Sequence, residues 1–456
     1  MQNPYEDRRA RFDAAVRTGA GGVLWLSLLL VTSWWVGDRG VQDLAGWTTG
    51  LTSVGRISGL VASVLLLAQV VAMARIPLLE RAFGQDRIAH LHRLVGFTSF
   101  NLMVLHVVTI TWGYGGGGLP SFLPTLWNLT ITYPGMLIAA AGTVALVMVV
   151  VTSVRAARRR LRYESWHLMH LYAYLGVGLA LPHQLWTGQQ FTGSPIRTVF
   201  WWTAWAATAG AVLVWRAGRP VLVNLRHRLQ VADVVDEGDG IWSVHVTGRR
   251  LDLLRVEAGQ FFSWRFLDGP GWSRANPYSL SAAPDGRSLR ITVQGVGDGS
   301  TATRSLQPGT RVLVEGPYGR LSPRSRTRPK LAFIGAGVGS TPLRALAEGT
   351  EYAPGDAIYL ERFTVAPLFA AELDTIAAAR GLRILRLPGP RRAAGSWLPA
   401  AVGRADDLTA LRHWIPDVAD RDVYVCGPEP WAALVNRTLV DAGVSGDRIH
   451  LETFAW

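Results

Sequence analysis

The sequence predicts a multi-domain membrane protein, composed of a six-helix transmembrane bundle, an antiparallel β-barrel domain and an α/β domain with a parallel sheet. Three observations support this fold class. Long apolar runs are confined to the first 220 residues, short alternating segments follow them, and strands alternate with helices from about residue 328. The predicted domains cover residues 1–219, 220–327 and 328–456.

The composition fits a membrane domain joined to soluble domains. Hydrophobic residues make up 49% of the chain and charged residues only 17%, and many of the 19 tryptophans flank the apolar runs. The single cysteine, Cys426, excludes an intramolecular disulfide, a four-cysteine iron–sulfur cluster and a zinc site built on cysteines. The net charge is +13, but membrane topology explains arginines beside apolar segments, so no nucleic-acid partner is expected.

Six apolar segments predict transmembrane helices, because about 20 helical residues span a bilayer core. They cover residues 20–36, 54–74, 91–112, 134–154, 166–185 and 198–215. Arginines cluster before the first segment, in the second and fourth connections and after the sixth, whereas the other connections carry little charge. The positive-inside rule therefore predicts a multi-pass protein of the cell membrane with a cytoplasmic N-terminus and cytoplasmic C-terminal domains.

Four histidines occupy matched positions on the third and fifth segments. His92 and His106 are fourteen residues apart, which returns to nearly the same helix face about 21 Å further along the axis. His170 and His183 are thirteen residues apart, so their side chains point about 140° apart around an ideal helix. Pro182 can kink the helix and redirect the His183 ring. Both helices run outwards, so His92 shares a depth with His170, and His106 with His183. This pairing predicts two stacked bis-histidine haems.

Two neighbouring histidines compete for the inner positions. His90 lies sixteen residues before His106, about 160° from its face, so helix geometry favours His92. His167 competes with His170, which is preferred because it is closer in register to His92. The choice between His167 and His170 stays open.

Six helices with histidines fourteen apart on the third and thirteen apart on the fifth resemble the transmembrane domain of the ferric reductase and NADPH oxidase family. The resemblance covers roughly residues 20–215. It implies that the four histidines ligate two b-type haems that relay electrons across the bilayer. The histidines then act as metal ligands, and no catalytic acid or base is predicted.

The segment RANPYSLSAAP (274–284) follows a strand and resembles the flavin signature of ferredoxin–NADP reductase-type domains. The resemblance implies that Tyr278 packs on the isoalloxazine of FAD and that Ser279 bonds its N5 edge. The family usually has a basic residue where this chain has Asn276, so Arg274 becomes the candidate for the pyrophosphate. The remaining predicted contacts of this motif are Asn276, Pro277, Leu280 and Ser281.

Downstream, the segment GVGDGSTATRSL (295–306) places small residues where a helix can begin. Backbone N–H groups and hydroxyls there can donate to a pyrophosphate. The predicted donors are Gly299, Ser300 and Thr301. The segment EGPYG (315–319) closes the predicted barrel, as it does in the family.

The segment LAFIGAGVGSTPLRAL (331–346) predicts a buried strand, a glycine-rich turn and a helix. Glycines allow a tight turn and a close approach of phosphate, and the helix N-terminus favours anions. The predicted nicotinamide-dinucleotide contacts are Gly335, Gly337, Val338, Gly339, Ser340, Thr341 and Pro342.

A second nicotinamide element is DVYVCGPEPWAAL (422–434). In the family, a CGP turn ends a strand beneath the nicotinamide, which corresponds to Cys426, Gly427 and Pro428. The alternative for Cys426 is a buried structural thiol.

Further candidates follow from the same resemblance. Related proteins carry an aromatic residue near the C-terminus that shields the flavin, and Phe454 and Trp456 both qualify. Arg362 follows the second strand of the α/β domain and is expected at the adenosine ribose or a 2′-phosphate, with Arg391 and Arg392 as alternatives. These arginines slightly favour NADPH over NADH.

These features together predict a transmembrane oxidoreductase. Electrons would pass from NAD(P)H through FAD, the inner haem and the outer haem to an extracytoplasmic small molecule, either oxygen or a ferric chelate. One alternative is an electron-transfer subunit that supplies an unidentified periplasmic or membrane partner reductase. Another is a membrane-anchored flavoreductase without haem. The connection 113–133 contains no carboxylate cluster that would hold iron.

Overall fold

The computed structural model describes residues 4–158, 163–269 and 271–454. The chain divides into two compact units. The first unit covers residues 11–218, and the second begins at Arg219 and includes residues 4–10.

The first unit is helical. Five of its helices within the described ranges are long and apolar enough to cross a membrane, which confirms five of the six predicted segments as candidate spans. The segment 166–185 also forms a helix, but it is not among those five, so a six-helix bundle stays a prediction. The helices are α1 (Pro4–Gly37), α2 (Trp47–Met73), α3 (Pro77–Phe83), α4 (Gln85–Tyr114), α5 (Phe122–Thr132), α6 (Met136–Ser153), α7 (Arg155–Arg158), α8 (Tyr163–Thr187), α9 (Gln189–Thr192) and α10 (Pro195–Ala211).

Small residues let these helices approach closely. Helix α4 packs along α2, and α8 packs along α6. A Cβ added at Gly142 of α6 would lie 2.7 Å from the carbonyl oxygen of Gly176 on α8. Close backbone contact through glycine is a common way to pack helices where the surroundings offer no hydrophobic driving force.

Helix α5 lies in the connection 113–133, outside the six predicted segments. The four consecutive glycines and Pro120 signal a loop, and the eleven-residue helix that follows is too short to stand out as a membrane span.

The second unit begins with helix α11 (Arg219–His227), which leads into two antiparallel three-stranded sheets in the orders β1–β2–β5 and β4–β3–β6. Two isolated bridges, Gln230↔Arg311 and Leu280↔Ile291, join strands of different sheets. The alternating segments after residue 220 form antiparallel strands, and β4 lies inside the flavin-like motif, but a closed barrel stays a prediction. The strands are β1 (Gln230–Gly238), β2 (Ile241–Thr247), β3 (Phe261–Phe266), β4 (Asn276–Ser279), β5 (Ser288–Gln294) and β6 (Val312–Tyr318), and the short helix α12 spans Asp298–Thr301.

The predicted parallel α/β arrangement is confirmed. Five parallel strands lie in the order β11–β10–β7–β8–β9, so the chain order reverses between β7 and β10, where open α/β sheets bind ligands. The boundary predicted at 327/328 falls between β6 and β7, inside the second unit. The elements are β7 (Leu331–Ala336), α13 (Ser340–Gly349), β8 (Ala357–Phe363), α14 (Ala370–Arg380), β9 (Arg383–Pro388), α15 (Asp407–Trp414), β10 (Asp422–Pro428), α16 (Glu429–Asp441) and β11 (Ile449–Phe454).

Candidate functional site

The structure brings His92 of α4 and His170 of α8 together. Their ring centroids lie 5.9 Å apart, with the ring planes at 76°. Metal–nitrogen bonds of about 2 Å on both sides of one metal would place two imidazole centroids about 6 Å apart, so the spacing suits a shared metal. His92 Nδ1 is buried without a hydrogen-bond partner in the described structure. A buried nitrogen without a partner fits a site in which a bound group supplies the missing contacts.

Ser153, the last residue of α6, fixes the proton on His170. Its Oγ donates to the carbonyl oxygen of Val149 at 2.6 Å and lies 3.2 Å from His170 Nδ1. Because the one hydroxyl proton is used at Val149, His170 Nδ1 donates to Ser153, and His170 Nε2 keeps its lone pair for a metal. Trp166 donates to the same oxygen at 3.3 Å and lies beside the His170 ring, with centroids 5.0 Å apart.

The second pair consists of His106 on α4 and His183 on α8. His106 Nδ1 lies 2.7 Å from the carbonyl oxygen of Gly55, which can only accept, so Nε2 is again the free nitrogen. A Cβ added at Gly59 would lie 2.5 Å from His106 Nδ1, so glycine leaves room for this ring. His183 is close enough to interact electrostatically with His106 and with the backbone of Ala180.

The competing histidines lie differently. The His90 side chain is exposed, whereas His92 two residues later contacts His170. His167 is half-buried and lies near His170. Pro182 is accommodated inside α8, which continues to Thr187.

Paired imidazoles at two levels fit haem better than a bare metal ion. A porphyrin supplies four ligands, so its iron takes at most two from the protein. No group of three or more His, Cys, Asp or Glu side chains that could hold a metal ion comes together within the described ranges. The fourteen-residue spacing of His92 and His106 places the two pairs about 21 Å apart along α4.

Strand β4 carries the flavin-like motif. Trp264 Nε1 donates to the carbonyl oxygen of Tyr278 at 2.9 Å, which holds β4 against its neighbour β3. The Ser279 hydroxyl is buried, with no hydrogen-bond partner in the described part of the chain. An unpaired buried hydroxyl is costly, so Ser279 fits a contact with a bound flavin. Burial raises the pKa of Tyr278 to about 12, so its phenol stays neutral.

The residues expected near a pyrophosphate are neighbours. A Cβ added at Gly299 would lie 3.5 Å from Asn276 Oδ1, so the start of β4 lies beside α12. The Ser300 hydroxyl, however, accepts from the Gly297 N–H at 3.0 Å and donates to the Gly297 carbonyl at 2.8 Å. It is therefore engaged within its own turn. Partly or fully exposed side chains nearby belong to Arg274, Pro277 and Thr301.

The last two predicted residues of this motif have protein partners. Leu280 is fully buried in the core between the two sheets. The Ser281 hydroxyl accepts from Thr292 Oγ1 at 2.8 Å and from Arg290 Nε at 3.1 Å. Both side chains therefore have partners within the protein, and their contact with a cofactor stays a prediction.

The glycine-rich turn after β7 packs against the end of β10. Gly337 has φ +56°, a conformation that favours glycine. A Cβ added at Gly339 would lie 2.3 Å from the carbonyl oxygen of Cys426 and 2.8 Å from the Cα of Gly427. Glycine is therefore required where these two segments meet.

The hydroxyls at the start of α13 are used within the protein. Ser340 Oγ donates to Glu361 Oε1 at 2.9 Å, and Thr341 Oγ1 donates to the Val338 carbonyl at 2.7 Å. Both side chains and Pro342 are buried, so the backbone N–H groups of this turn are what remains for a phosphate. Burial also raises the pKa of Glu361 to about 7, and its Oε2 atom has no partner in the described structure.

A cleft of about 200 Å³ opens beside this turn. Val338 and Arg362 line it from the α/β domain, and Gln294 lines it from the end of β5. Burial and the neighbouring Arg391 lower the pKa of Arg362, and its Nε has no partner among the described residues. Two neighbouring positive charges suit an anionic group such as a phosphate.

The Arg392 side chain is bonded within the protein. Its guanidinium donates to the carbonyl oxygens of Gly403 at 3.1 Å and Ala405 at 2.5 Å and pairs with Asp407. These bonds hold the loop between β9 and α15.

The predicted CGP turn lies at the same edge of the sheet. Cys426 is in register with Gly335 on β7, and burial raises the pKa of its thiol, which favours a structural role. Pro428 pairs with Phe454, so the last strand ends beside this turn. Trp456 lies outside the described residues.

Three residues of these sites were missed from the sequence: Ser153, Gln294 and Glu361. Ser153 and Gln294 sit at the ends of elements and carry no local signal. Glu361 did carry a signal in the sequence, because an acidic residue inside a buried strand is rare and usually has a specific role.

The chain thus combines a helical unit that contains five candidate membrane helices with a unit built of two antiparallel sheets and one parallel sheet. Residues 58–181 match the family described as the ferric reductase like transmembrane component. This match, with the relatives of the C-terminal half, confirms the resemblance inferred from the sequence.

Three relatives match the C-terminal half. The ferredoxin reductase component of 3-ketosteroid-9-alpha-monooxygenase from Mycolicibacterium smegmatis is 33% identical over 50% of this chain and 65% of its own length. An NADPH oxidoreductase from Mycobacterium tuberculosis is 28% identical over 53% of this chain and 68% of its own. A flavohemoprotein from Pseudomonas aeruginosa is 29% identical over 55% and 63%. The chain thus spans about two thirds of the length of these relatives.

Proposed function

We propose that this protein is a transmembrane oxidoreductase that passes electrons from cytoplasmic NAD(P)H, through FAD and two b-type haems, to an acceptor on the opposite side of the membrane. The observation that carries the proposal is the arrangement of histidines from α4 and α8 in two pairs, with His92 facing His170 and His106 close to His183. The same chain carries a flavin motif and a nicotinamide-type sheet edge.

When bound, the flavin exchanges a hydride for single electrons, and the haems relay those electrons one at a time. The chain's own residues hold and orient these groups. Ser153 and the Gly55 carbonyl keep His170 and His106 in the tautomer whose Nε2 can ligate iron. Ser279 offers a buried hydroxyl to the flavin, and the turn around Gly337 offers backbone N–H groups to the dinucleotide.

The orientation rests on charge. Arginines cluster at the N-terminus and in the connections 74–90 and 155–162, whereas the other connections carry few charges. By the positive-inside rule, the N-terminus and the second unit are cytoplasmic, and the His106–His183 pair lies towards the outer surface.

The acceptor is a small molecule, either oxygen or a ferric chelate. The connection 113–133, on the outer side in this orientation, contains no Asp or Glu that would hold a ferric ion, and it folds partly into helix α5. This favours a diffusible acceptor that needs no carboxylate site. Cytochrome c reduction by the NADPH-fed protein in air, with and without superoxide dismutase, separates the two: inhibition by the dismutase supports oxygen as the acceptor.

A second candidate is an electron-transfer subunit that supplies a partner reductase or oxygenase. The Mycolicibacterium smegmatis relative supports this candidate, because it is the ferredoxin reductase component of a monooxygenase. Rapid turnover of the isolated chain with oxygen or ferric chelates would count against it.

The test of the proposal is a reduced-minus-oxidised absorption spectrum of the purified full chain, repeated with His106→Ala. We expect two b-type haems per chain in the wild type and the loss of one in the variant. If the wild-type protein shows no haem absorption, the proposal fails and the membrane-anchored flavoreductase is the remaining alternative. If the Soret intensity of the variant is unchanged, His106 does not ligate an outer haem.

A further inference from the structure

We propose that Glu372 is a positioning residue for hydride transfer. Together with Arg290 and Arg344 it fixes the helices of the α/β domain against the flavin motif. The inference rests on the proposed function, in which a nicotinamide at the parallel sheet reduces a flavin held by the antiparallel sheets.

Glu372 lies on α14 and receives two arginines from different elements. Arg290 of β5 donates from Nη1 to Oε1 at 2.8 Å and from Nη2 to Oε2 at 2.9 Å, a two-point contact. Arg344 of α13 pairs with Oε2 at 2.7 Å. One carboxylate therefore joins a strand of the antiparallel sheets to two helices of the α/β domain.

Both arginines also hold Ser281, two residues after the candidate flavin contact Ser279. Arg290 donates to the Ser281 carbonyl at 2.9 Å and to its hydroxyl at 3.1 Å, and Arg344 lies 3.3 Å from the same carbonyl. Both arginines therefore bind the backbone of the flavin motif at the Ser281 carbonyl. A displacement of either arginine would displace this backbone as well.

The other end of the network lies on α13, whose first turn carries the predicted phosphate contacts. Arg344 is one turn beyond Ser340, the first residue of α13, and its side chain is only 8% exposed. Glu348, a turn further on, accepts from Arg344 and from the backbone N–H of Ala283 at 2.7 Å. The segment 281–283 is thus fixed to α13 at two points.

The charges make this network stiff. Burial acts to raise the pKa of Glu372, but the hydrogen bonds from Arg290 and the charge of Arg344 outweigh it and lower the pKa, so the carboxylate stays charged. Hydrogen bonds between charged groups are short and directional. A misplacement of about 1 Å between reacting groups can cost about a hundredfold in rate, so a network that sets this alignment controls the hydride step.

The chain offers a matched control on the same helix. Asp374 pairs with Arg386 of β9 at 2.7 Å, and both residues belong to the α/β domain, so this ion pair does not reach the flavin motif. Glu372→Gln and Asp374→Asn each remove one carboxylate charge from α14. The first of them alters the contact between the α/β domain and the flavin motif, and the second does not.

The experiment is anaerobic stopped-flow reduction of the flavin in the full-length protein, with NADPH and with NADPH deuterated at the transferred position. For Glu372→Gln we expect at least a tenfold slower flavin reduction at saturating NADPH, an unchanged half-saturating concentration and an altered deuterium isotope effect. For Asp374→Asn we expect wild-type values. Equal behaviour of the two variants would overturn the proposal.

A second variant keeps the proposal testable if Glu372→Gln does not retain FAD. Arg290→Lys preserves the charge but removes the two-point contact with Glu372. The same slowing with FAD retained supports the proposal, and a wild-type rate overturns it. If NADPH fails to reduce the flavin of the wild-type protein, the proposed function itself is wrong, which distinguishes the two failures.

Discussion

The Ser153 hydroxyl lies 3.2 Å from Nδ1 of His170 and joins the end of α6 to the imidazole that faces His92. The hydroxyl proton is directed to the Val149 carbonyl, so Ser153 acts as an acceptor for the ring. An acceptor at Nδ1 raises the electron-donating power of Nε2 towards a metal. The contact therefore bears on the potential of the inner haem in the proposed function.

Ser153→Ala removes this acceptor. We expect the haem to stay bound, because His170 remains, and the potential of the inner haem to rise, because a weaker donor stabilises ferric iron less. A spectroelectrochemical titration measures the shift. Thr152→Val is the control, since within the described part of the chain the Thr152 hydroxyl bonds to carbonyl oxygens of its own helix, at Met148 and Val149. Equal potentials in the two variants would contradict the assignment.

His170→Ala and His167→Ala distinguish the competing ligands. We expect His170→Ala to lose one of two haems, because His170 is the ring that faces His92, and His167→Ala to keep both. The ratio of haem to FAD in the purified protein measures the outcome. The opposite pattern would assign the inner haem to His167.

Arg362→Ala tests the coenzyme preference. A charge-assisted hydrogen bond is worth about 1.5–3 kcal/mol, so loss of a contact with a 2′-phosphate is expected to raise the KM for NADPH about tenfold or more and to change the KM for NADH little. Steady-state kinetics with both coenzymes measures the ratio. Arg383→Ala, an exposed arginine at the start of β9, is the control. A parallel rise for both coenzymes would place Arg362 at a group that they share.

Glu361→Gln tests a pH dependence of stability. The pKa of Glu361 is raised from 4.5 to about 7 by burial, so the folded state holds this proton more tightly than the unfolded chain. The contribution of protonated Glu361 to the free energy of unfolding is fully present below pH 4.5 and is lost as the pH rises through about 7. This loss amounts to about 3 kcal/mol of stability.

Glutamine does not titrate and can keep the bonds from Ser340 and the Leu368 N–H to the same oxygen. We therefore expect the variant to gain stability relative to the wild type as the pH rises from 5 to 8. Thermal release of FAD from the full-length protein, followed by fluorescence at each pH, measures the difference. Parallel curves for the two proteins would show that Glu361 does not titrate in this range.

Much of the architecture followed from local pattern. Five apolar segments form helices of membrane-spanning length, the alternating segments form antiparallel strands, and the strand–turn–helix around Gly337 forms as predicted. These features depend on periodicity, length and turn residues, which are properties of neighbouring positions in the chain. The histidine spacing on α4 also followed from helix geometry alone.

The tertiary structure decided which of these residues meet. Helix geometry could not choose between His167 and His170, but packing of α8 on α6 sets His170 beside Ser153 and opposite His92. Ser281 and Arg392 were candidate ligand contacts, and their side chains also form hydrogen bonds within the protein. The contact between His92 and His170 comes from packing between elements far apart in sequence, which local periodicity does not encode.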